Sequence, residues 1–249
     1  MYHRDYDNIQ MIEQFRQLMT LDANMNTSDI EERFEQIAKM LFESFAIQKG
    51  EKKYLFKEIE FYFYNKNHRD IITHPRVSKP LCWYINDFGG IDLNFGSKIR
   101  YEKRLNSNGK KVEKCVLDDS AYFGGILIRQ LISEDGCEVL SGPLACAELF
   151  RCYDATGVDH GFPILVEQDN GTVEYICKPR VNLLRSNQSV EDKVNIILYQ
   201  YHDNVQSSRE TLYQDFINFK DKPYGYEQQI ASCKDTHDYL NSDKMHLNF

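Results

Sequence analysis

Residues 54–64 hold the densest group of side chains in this chain that could do chemistry. The segment reads Tyr-Leu-Phe-Lys-Glu-Ile-Glu-Phe-Tyr-Phe-Tyr, and its alternation predicts a β-strand with two different faces. Ile59, Phe61 and Phe63 form an apolar face that can pack in a core. The other face and the histidine that follows carry carboxylate, phenol and imidazole groups: Glu58, Glu60, Tyr62, Tyr64 and His74. This combination is typical of a pocket wall for a flat polar ligand; an edge strand with ordinary polar side chains is the alternative.

A second polar group lies in the segment 83–96. Asp92 and Asn94 share one face of a predicted strand over 90–96, and Tyr84 lies in the segment before it. Carboxylate, amide and phenol groups on an inward face suit hydrogen-bond recognition of the edge of a ring. They would equally suit a structural polar network.

Arg129 lies in an apolar segment, 122–132, that is predicted to be a central strand. A buried guanidinium without a partner costs several kcal/mol, so Arg129 needs a carboxylate, and Glu60 and Asp92 are the candidates. The pair would be either a structural ion pair or an arginine that positions a carboxylate and a water molecule or phosphate. Gly124 and Gly125 in the same segment would let another backbone approach closely.

The elements that must position these residues follow from periodicity and turn signals. Helices are predicted over 8–20, 28–47, 143–151 and 208–219, with a capping box at Ser28-x-x-Glu31. Strands are predicted over 54–64, 82–85, 90–96, 98–104, 112–118, 122–132, 137–141, 164–168 and 173–178. The order predicts a single α+β domain with a largely antiparallel sheet and helices at both ends. Residues 1–50 are expected to form a helical extension packed on the domain of residues 51–249.

Composition limits the class of protein. The 249 residues are 42% hydrophobic, which suffices for a sizeable core, but no apolar run is long enough for a membrane span. The N-terminus lacks the apolar stretch of a secretory signal, and seven cysteines without C-x-x-C spacing favour reduced thiols. We therefore expect a cytoplasmic protein without a membrane partner, metal or cofactor. Motifs of phosphate-binding loops, zinc proteases and serine hydrolases are absent from the sequence.

Charge is unevenly distributed along the chain. The net charge is −8, yet residues 51–114 contain 14 Lys and Arg against 8 Asp and Glu. Basic residues cluster over 98–114 around Asn108-Gly109, which is a strong hairpin-turn signal. This basic hairpin could bind DNA phosphates, or it could be a solvated hairpin whose lysines protect its edges. The sequence gives no indication of the oligomeric state.

The order of several short motifs resembles that of the alkyladenine (3-methyladenine) DNA glycosylase family. The resemblance spans about residues 54–225, and the order of the motifs carries it. In chain order, the motifs are Ile59-Glu60-Phe61-Tyr62 with His74, Trp83-Tyr84-Ile85 with Phe88-Gly89 and Asn94, Ile126-Leu127-Ile128-Arg129, Ser141-Gly142-Pro143, Lys178-Pro179-Arg180-Val181 and Lys222-Pro223-Tyr224.

The resemblance implies an alkyladenine glycosylase-like fold with a curved sheet, and hydrolytic excision of a damaged purine from DNA. Glu60 would activate the attacking water and Arg129 would help to hold both. The implied substrate-binding residues are Tyr62, His74, Tyr84, Phe88, Asp92 and Asn94, with Phe88 at the position of the family's intercalating tyrosine. No lysine falls at an expected pocket-facing position, so a Schiff-base step is not expected. Two alternatives stay open: a catalytically silent member that binds a nucleobase, nucleotide or protein, and an N-glycosidic hydrolase of a small nucleoside or RNA.

Overall fold

The computed structural model describes residues 2–86, 89–106, 108–150, 161–200 and 209–229, with the backbone alone for residues 2–9 and 200. Its helices are α1 (Tyr2–Leu18), α2 (Thr27–Ser44), α3 (Pro143–Phe150), α4 (Val190–Gln200) and α5 (Arg209–Lys220). Its strands are β1 (Phe45–Lys49), β2 (Lys52–Asn65), β3 (His68–Arg69), β4 (Trp83–Ile85), β5 (Ile91–Asn94), β6 (Arg100–Leu105), β7 (Lys111–Val116), β8 (Phe123–Ser133), β9 (Val139–Ser141), β10 (Ile164–Glu167), β11 (Tyr175–Lys178) and β12 (Gly225–Gln228).

The strands form a mostly antiparallel open sheet, so the α+β class is confirmed. The main order is β10-β1-β2-β8-β5-β4, and β12 pairs with both β2 and β11. The short strand β3 pairs with β2, and the short strand β9 pairs with β8. Strands β6 and β7 form a separate two-stranded hairpin. The two longest strands, β2 and β8, lie side by side at the centre. They carry the residues on which the site depends.

Helix α2 packs its apolar face on this sheet. Ile30, Phe34, Ile37 and Leu41 recur at helical spacing and are fully buried. The ring of Phe34 stacks on Phe61 of β2 with centroids 4.5 Å apart. Residues 1–50, expected as an extension, thus share one hydrophobic core with the sheet that follows them.

Several boundaries differ from the sequence prediction. Helix α2 ends at Ser44 rather than at residue 47, because Phe45 adopts an extended conformation and begins β1. Its N-cap is Asn26, whose side chain accepts a hydrogen bond from the Asp29 amide, so the predicted Ser28 capping box is wrong. Helix α4 and strand β12 were not predicted. The polar sequence after about residue 226 predicts either a helix or a loosely attached tail, and beyond residue 229 this prediction lies outside the described residues.

The predicted basic hairpin is confirmed as β6–β7, with Gly109 at positive φ in its turn. Within the described ranges, no helix has the length and apolar character needed to span a bilayer.

Candidate functional site

Five of the predicted site residues lie in two rows across one face of the sheet. Antiparallel pairing places Glu60 of β2 opposite Leu127 of β8, which is opposite Asp92 of β5, which is opposite Tyr84 of β4. Residues directly opposite each other in a sheet project to the same face. The next row contains Tyr62, Gly125 and Asn94. Arg129 follows Leu127 by two residues and therefore projects to this face as well.

A cavity of about 920 Å³ lies over this face. Its volume is at the upper end of the range for pockets that bind small molecules and cofactors. Five of the residues predicted from the sequence line it: Tyr62, His74, Tyr84, Asp92 and Arg129. Glu60 and Asn94 lie behind the lining residues, with 0% and 1% exposure. Phe88 lies outside the described residues, so its expected role in duplex insertion stays a prediction.

Glu60 is a buried carboxylate held in place from two sides. Its Oε1 accepts a hydrogen bond from the backbone N–H of Val181 at 2.7 Å, and its Oε2 accepts one from the Tyr62 hydroxyl at 2.7 Å. Burial raises the pKa of the Glu60 carboxyl, although these hydrogen bonds and Arg129 oppose the increase. Burial also raises the pKa of the Tyr62 phenol, and the neighbouring Glu60 adds to that effect. Tyr62 is therefore a neutral hydrogen-bond donor to Glu60 at neutral pH.

Arg129 has Glu60, rather than Asp92, as its carboxylate partner. The Arg129 Nε atom lies 3.8 Å from Glu60 Oε1, which is within ion-pair range but beyond hydrogen-bond distance. Nε is buried and makes no hydrogen bond to the described residues, whereas the side chain as a whole is 25% exposed. The Arg129 side chain thus lines the cavity and also forms an ion pair with Glu60, which is buried behind it.

Asp92 pairs instead with Arg76, a cavity-lining residue that sequence reasoning did not select. The Arg76 Nη1 donates to Asp92 Oδ2 and, at 3.1 Å, to Asn94 Oδ1. The guanidinium carbon of Arg76 lies 4.6 Å from the centre of the Tyr84 ring, a cation–π contact. Asn94 also donates to the Ser78 hydroxyl at 2.9 Å. Asn94 therefore fixes Arg76 and has no surface in the cavity.

The two glycines of β8 provide the close approach that the sequence predicted. A Cβ atom at Gly124 would lie 2.1 Å from the carbonyl oxygen of Tyr62, so only glycine fits against β2 there. A Cβ atom at Gly125 would lie 2.9 Å from Asn94 Oδ1 and 3.3 Å from Arg76 Nη1. The absence of a side chain at Gly125 thus leaves room for the hydrogen bond between Arg76 and Asn94.

A buried ion pair supports Tyr62 from behind. Arg180 makes two hydrogen bonds to Asp70, at 2.6 Å and 3.1 Å, and both side chains have 0% exposure. The guanidinium carbon of Arg180 lies 4.6 Å from the centre of the Tyr62 ring. Since Val181 is the donor to Glu60, the segment that follows β11 fixes both Tyr62 and Glu60.

The segment 181–197 supplies a second wall of the cavity. Val181, Arg185, Lys193 and Ile197 all line it, and the last two belong to α4. Lys193 is thus a cavity-lining lysine at a position that the sequence analysis did not place. Helix α4 could have been found from its apolar spacing (Val190, Val194, Ile197 and Leu198) and from the Ser189-x-x-Asp192 cap, in which the Ser189 hydroxyl donates to Asp192 at 2.8 Å.

The basic hairpin β6–β7 lies beside the cavity without lining it. Burial raises the pKa of the Tyr101 phenol in β6, and the nearby phenol of Tyr84, a cavity residue, adds to the increase. On the other strand, β7 contacts α4, and the Lys114 ammonium lies 5.9 Å from the centre of the Tyr199 ring. The hairpin therefore contacts α4, which lines part of the cavity, through β7, and the phenol of Tyr101 in β6 lies within electrostatic range of Tyr84.

Among the residues with described side chains, no cluster of three His, Cys, Asp or Glu residues could hold a metal ion. No protein-family model matches the chain. The chain is similar to Uncharacterized protein L759 of Acanthamoeba polyphaga mimivirus, with 29% identity over 147 residues that cover 57% of this chain and 68% of that protein. This similarity assigns neither a family nor an activity.

Proposed function

We propose that this chain binds a base displaced from a DNA strand and hydrolyses its N-glycosidic bond, a damaged purine being the substrate class that the glycosylase resemblance indicates. The alkyladenine glycosylase-like fold belongs to the same proposal. One observation carries it: Glu60, with its raised pKa, lies directly behind an aromatic cavity and is held by Tyr62, Val181 and Arg129.

The reaction needs a carboxylate in this position. As the bond between C1′ and the base nitrogen breaks, its electron pair leaves with the base, which takes up a proton, and the sugar gains oxocarbenium character. A water oxygen then bonds to C1′ while Glu60 accepts the water proton. A raised pKa makes the carboxylate a stronger base near neutral pH. Tyr62, His74 and Tyr84 supply the stacking and hydrogen-bonding surface that a displaced base requires.

The hairpin favours a polymer over a free nucleoside. It concentrates positive charge beside the cavity of a chain whose net charge is −8. Phosphate neutralisation provides most of the affinity of DNA-binding proteins, and a local basic surface can supply it even when the whole molecule is acidic.

Binding without hydrolysis is the second candidate, and the burial of Glu60 favours it. The residue is 0% exposed and both of its oxygens accept hydrogen bonds from protein groups. Hydrolysis therefore requires the Arg129 or Tyr62 side chain to shift when the substrate binds, so that water reaches the carboxylate. A binding protein requires no such movement.

The test is base excision from labelled duplex and single-stranded oligonucleotides that contain hypoxanthine, ethenoadenine or 3-methyladenine. Abasic sites are scored by cleavage in alkali. We expect excision of at least one lesion, and we expect Glu60→Gln to lower its rate by about 100-fold or more, the usual effect of losing a general base. Glu58→Gln is the matched control, because Glu58 lies two residues away on the same strand but pairs with Lys178 at 2.8 Å. Its rate should change less than about threefold.

Binding of the same oligonucleotides separates the two candidates. Excision that persists in Glu60→Gln would show that Glu60 is not the base. Binding of a lesion without excision, by folded protein, would favour the silent binding protein. Absence of both binding and excision would refute both candidates.

A further inference from the structure

Arg76 presents a guanidinium that is fixed in place at the wall of the cavity. Its Nε donates to the His74 carbonyl at 3.2 Å, and its Nη1 donates to Asp92 and Asn94. The centre of the Tyr84 ring lies 4.6 Å from its guanidinium carbon. The side chain is 5% exposed and is therefore enclosed by these partners. A donor that is fixed before a ligand arrives loses little conformational entropy on binding.

One nitrogen of this guanidinium is still available to a ligand. Nη2 makes no hydrogen bond to the described residues and is not sealed from solvent. Since Arg76 lines the cavity, Nη2 meets solvent there. Both oxygens of Asp92 already accept a hydrogen bond, Oδ2 from Arg76 and Oδ1 from Asn86 at 3.2 Å. This wall therefore offers a ligand a hydrogen-bond donor, because an arginine side chain has no acceptor.

This donor lies one strand away from the Tyr62 ring. Tyr62 of β2 is directly opposite Gly125 of β8, and a Cβ atom at Gly125 would lie 3.3 Å from Arg76 Nη1. Neighbouring strands are about 4.8 Å apart. Because Gly125 has no side chain, a planar base that lies against Tyr62 can bring its edge to Arg76 across this glycine.

Purines differ in what their edges offer to such a donor. Hypoxanthine, like guanine, has two adjacent acceptors, O6 and N7, whereas adenine has an amino donor beside N7. The N–H groups of Nη2 match the first edge and are opposed by the amino group of the second. The contact does not separate hypoxanthine from guanine, because both have the same two acceptors.

A positively charged base is disfavoured by a second arginine. The Arg180 guanidinium carbon lies 4.6 Å from the centre of the Tyr62 ring, and its side chain is fully buried and does not line the cavity. Tyr62 therefore already has a cation on its protein side, and a cationic base on its cavity side would be repelled across the ring. Methylation of a purine at N7 creates this charge and also removes the N7 acceptor.

We propose that Arg76 determines specificity by selecting a neutral purine with a 6-oxo group, such as hypoxanthine, over 6-aminopurines and over purines methylated at N7. A charge-assisted hydrogen bond from Nη2 to O6 makes the selection. The inference rests on the proposed function, because it takes the ligand to be a displaced base lying against Tyr62.

The experiment measures binding of the full chain to single-stranded oligonucleotides by fluorescence anisotropy. The probes differ in the target base: hypoxanthine, adenine, 7-methylguanine, unsubstituted purine, which lacks the 6-oxygen, and an abasic analogue. Fluorine at C2′ of the target nucleotide destabilises the oxocarbenium-like transition state, so that binding is measured without cleavage. We expect hypoxanthine to bind about tenfold or more tightly than the other three bases, as a hydrogen bond from a charged donor provides. Tighter binding of adenine or 7-methylguanine would overturn the inference.

The double variant Arg76→Met/Asp92→Asn tests the residue itself and leaves no unpaired buried charge. It should bind hypoxanthine and unsubstituted purine within about threefold of each other. Its affinity for unsubstituted purine should equal that of the unmodified chain, which verifies that it is folded. A variant that retained the preference for hypoxanthine would show that another residue reads the base and would overturn the inference. The comparison of probes on the unmodified chain does not depend on how this variant folds.

Arg33→Met is the matched control. The Arg33 Nη1 donates to the carbonyl oxygens of Gln17 and Leu18, and the residue does not line the cavity. This variant should retain the full preference for hypoxanthine. Loss of the preference in Arg33→Met would show that the effect is not specific to Arg76.

The probes separate failure of this inference from failure of the proposed function. Equal affinity for hypoxanthine and unsubstituted purine, both above that for the abasic analogue, would retain base recognition and overturn the role of Arg76. Equal affinity for the abasic analogue and every base would refute base recognition and the inference with it. A preference for hypoxanthine that depends on Arg76, without excision of unfluorinated hypoxanthine, would retain the inference and favour the binding protein over the hydrolase.

Discussion

At the scale of single residues, the site depends on charges that are buried in pairs. Arg180 and Asp70 lie in the core behind Tyr62, and Arg180 also donates to the backbone oxygens of Phe61 and Phe219 at 3.2 Å and 3.0 Å. Such a pair costs desolvation energy when it forms, but removing one partner leaves the other charge buried without compensation. The pair therefore holds Tyr62 in position, and a mutation that removes either partner is expected to destabilise the fold.

We predict that Arg180→Met lowers the free energy of unfolding by about 3–5 kcal/mol, because Asp70 is left buried and unpaired. Asp70→Asn should cost a comparable amount for the converse reason. The double variant Arg180→Met/Asp70→Asn should lose clearly less than the two single variants together, since it leaves no unpaired charge. Urea unfolding followed by circular dichroism measures all three. Single variants that each cost below about 1 kcal/mol would show that the pair is not a stabilising unit.

At the scale of elements, the start of α2 shows how a local signal can be misplaced by two residues. Ser28-x-x-Glu31 has the spacing of a capping box, but the helix begins at Thr27 and Asn26 caps it. The Asn26 side chain accepts from the Asp29 amide at 2.9 Å, and the Ser28 hydroxyl donates to the same Asn26 oxygen at 2.6 Å. Ser28 thus orients the cap and is not the cap itself.

Asn26→Ala should lower the free energy of unfolding by about 1 kcal/mol, the usual cost of losing an N-cap. Ser28→Ala should cost less than about 0.5 kcal/mol, because the hydrogen bond to the Asp29 amide persists. Both residues are exposed, so packing changes do not obscure the comparison. Thermal or urea unfolding of the two variants side by side checks the order. If Ser28→Ala lowered the free energy of unfolding more than Asn26→Ala does, Ser28 would be the N-cap, as the capping-box spacing predicts.

Alternation along β2 was sufficient to predict which residues share a face, and so Glu60 and Tyr62 could be chosen from sequence. Strand register was not predictable in this way, and it is register that places Asp92 two strands away from Glu60 across Leu127. Arg76 lies in an irregular segment between β3 and β4, where no periodicity indicates its direction. Its role arises from tertiary contacts alone.

Strand β1 was missed for a different reason. It follows α2 without a glycine or proline between them, and Phe45 continues the helical spacing of Phe34, Ile37 and Leu41. Pairing with β2 and β10 overrides that local preference, because both neighbours satisfy the backbone groups of β1. Strand β12 (Gly-Tyr-Glu-Gln) is short and carries no alternating apolar pattern, and its pairing with β2 and β11 defines it.

At the scale of the whole molecule, the distribution of charge matters more than its total. The chain carries −8 overall, yet cations line its cavity and the adjacent hairpin is basic. Such a cavity attracts anionic ligands even though the whole chain is acidic. Sequence-level charge alone could not reveal the arrangement, because Lys193 lies in the acidic C-terminal part of the chain and reaches the cavity only through the fold.

The pH dependence of stability is also a property of the whole molecule, and His68 is central to it. Its ring is fully buried among Phe34, Phe219 and Tyr224, and its Nε2 has no hydrogen-bond partner among the described residues. Burial lowers the pKa of His68 from 6.5 to about 4, although nearby Asp70 opposes the decrease. Between these two values the unfolded chain binds the proton and the folded chain does not.

Stability must therefore fall as the pH falls through that window, because the unfolded state takes up more protons. His68 alone should lower the free energy of unfolding by about 2 kcal/mol between pH 7.5 and pH 5. Glu60 acts in the opposite direction, since its raised pKa lets the folded state take up a proton first. His68→Gln removes only the first contribution, so urea unfolding at the two pH values should show a smaller decrease in the variant than in the unmodified chain. Equal decreases in both would mean that His68 is not buried in its neutral form.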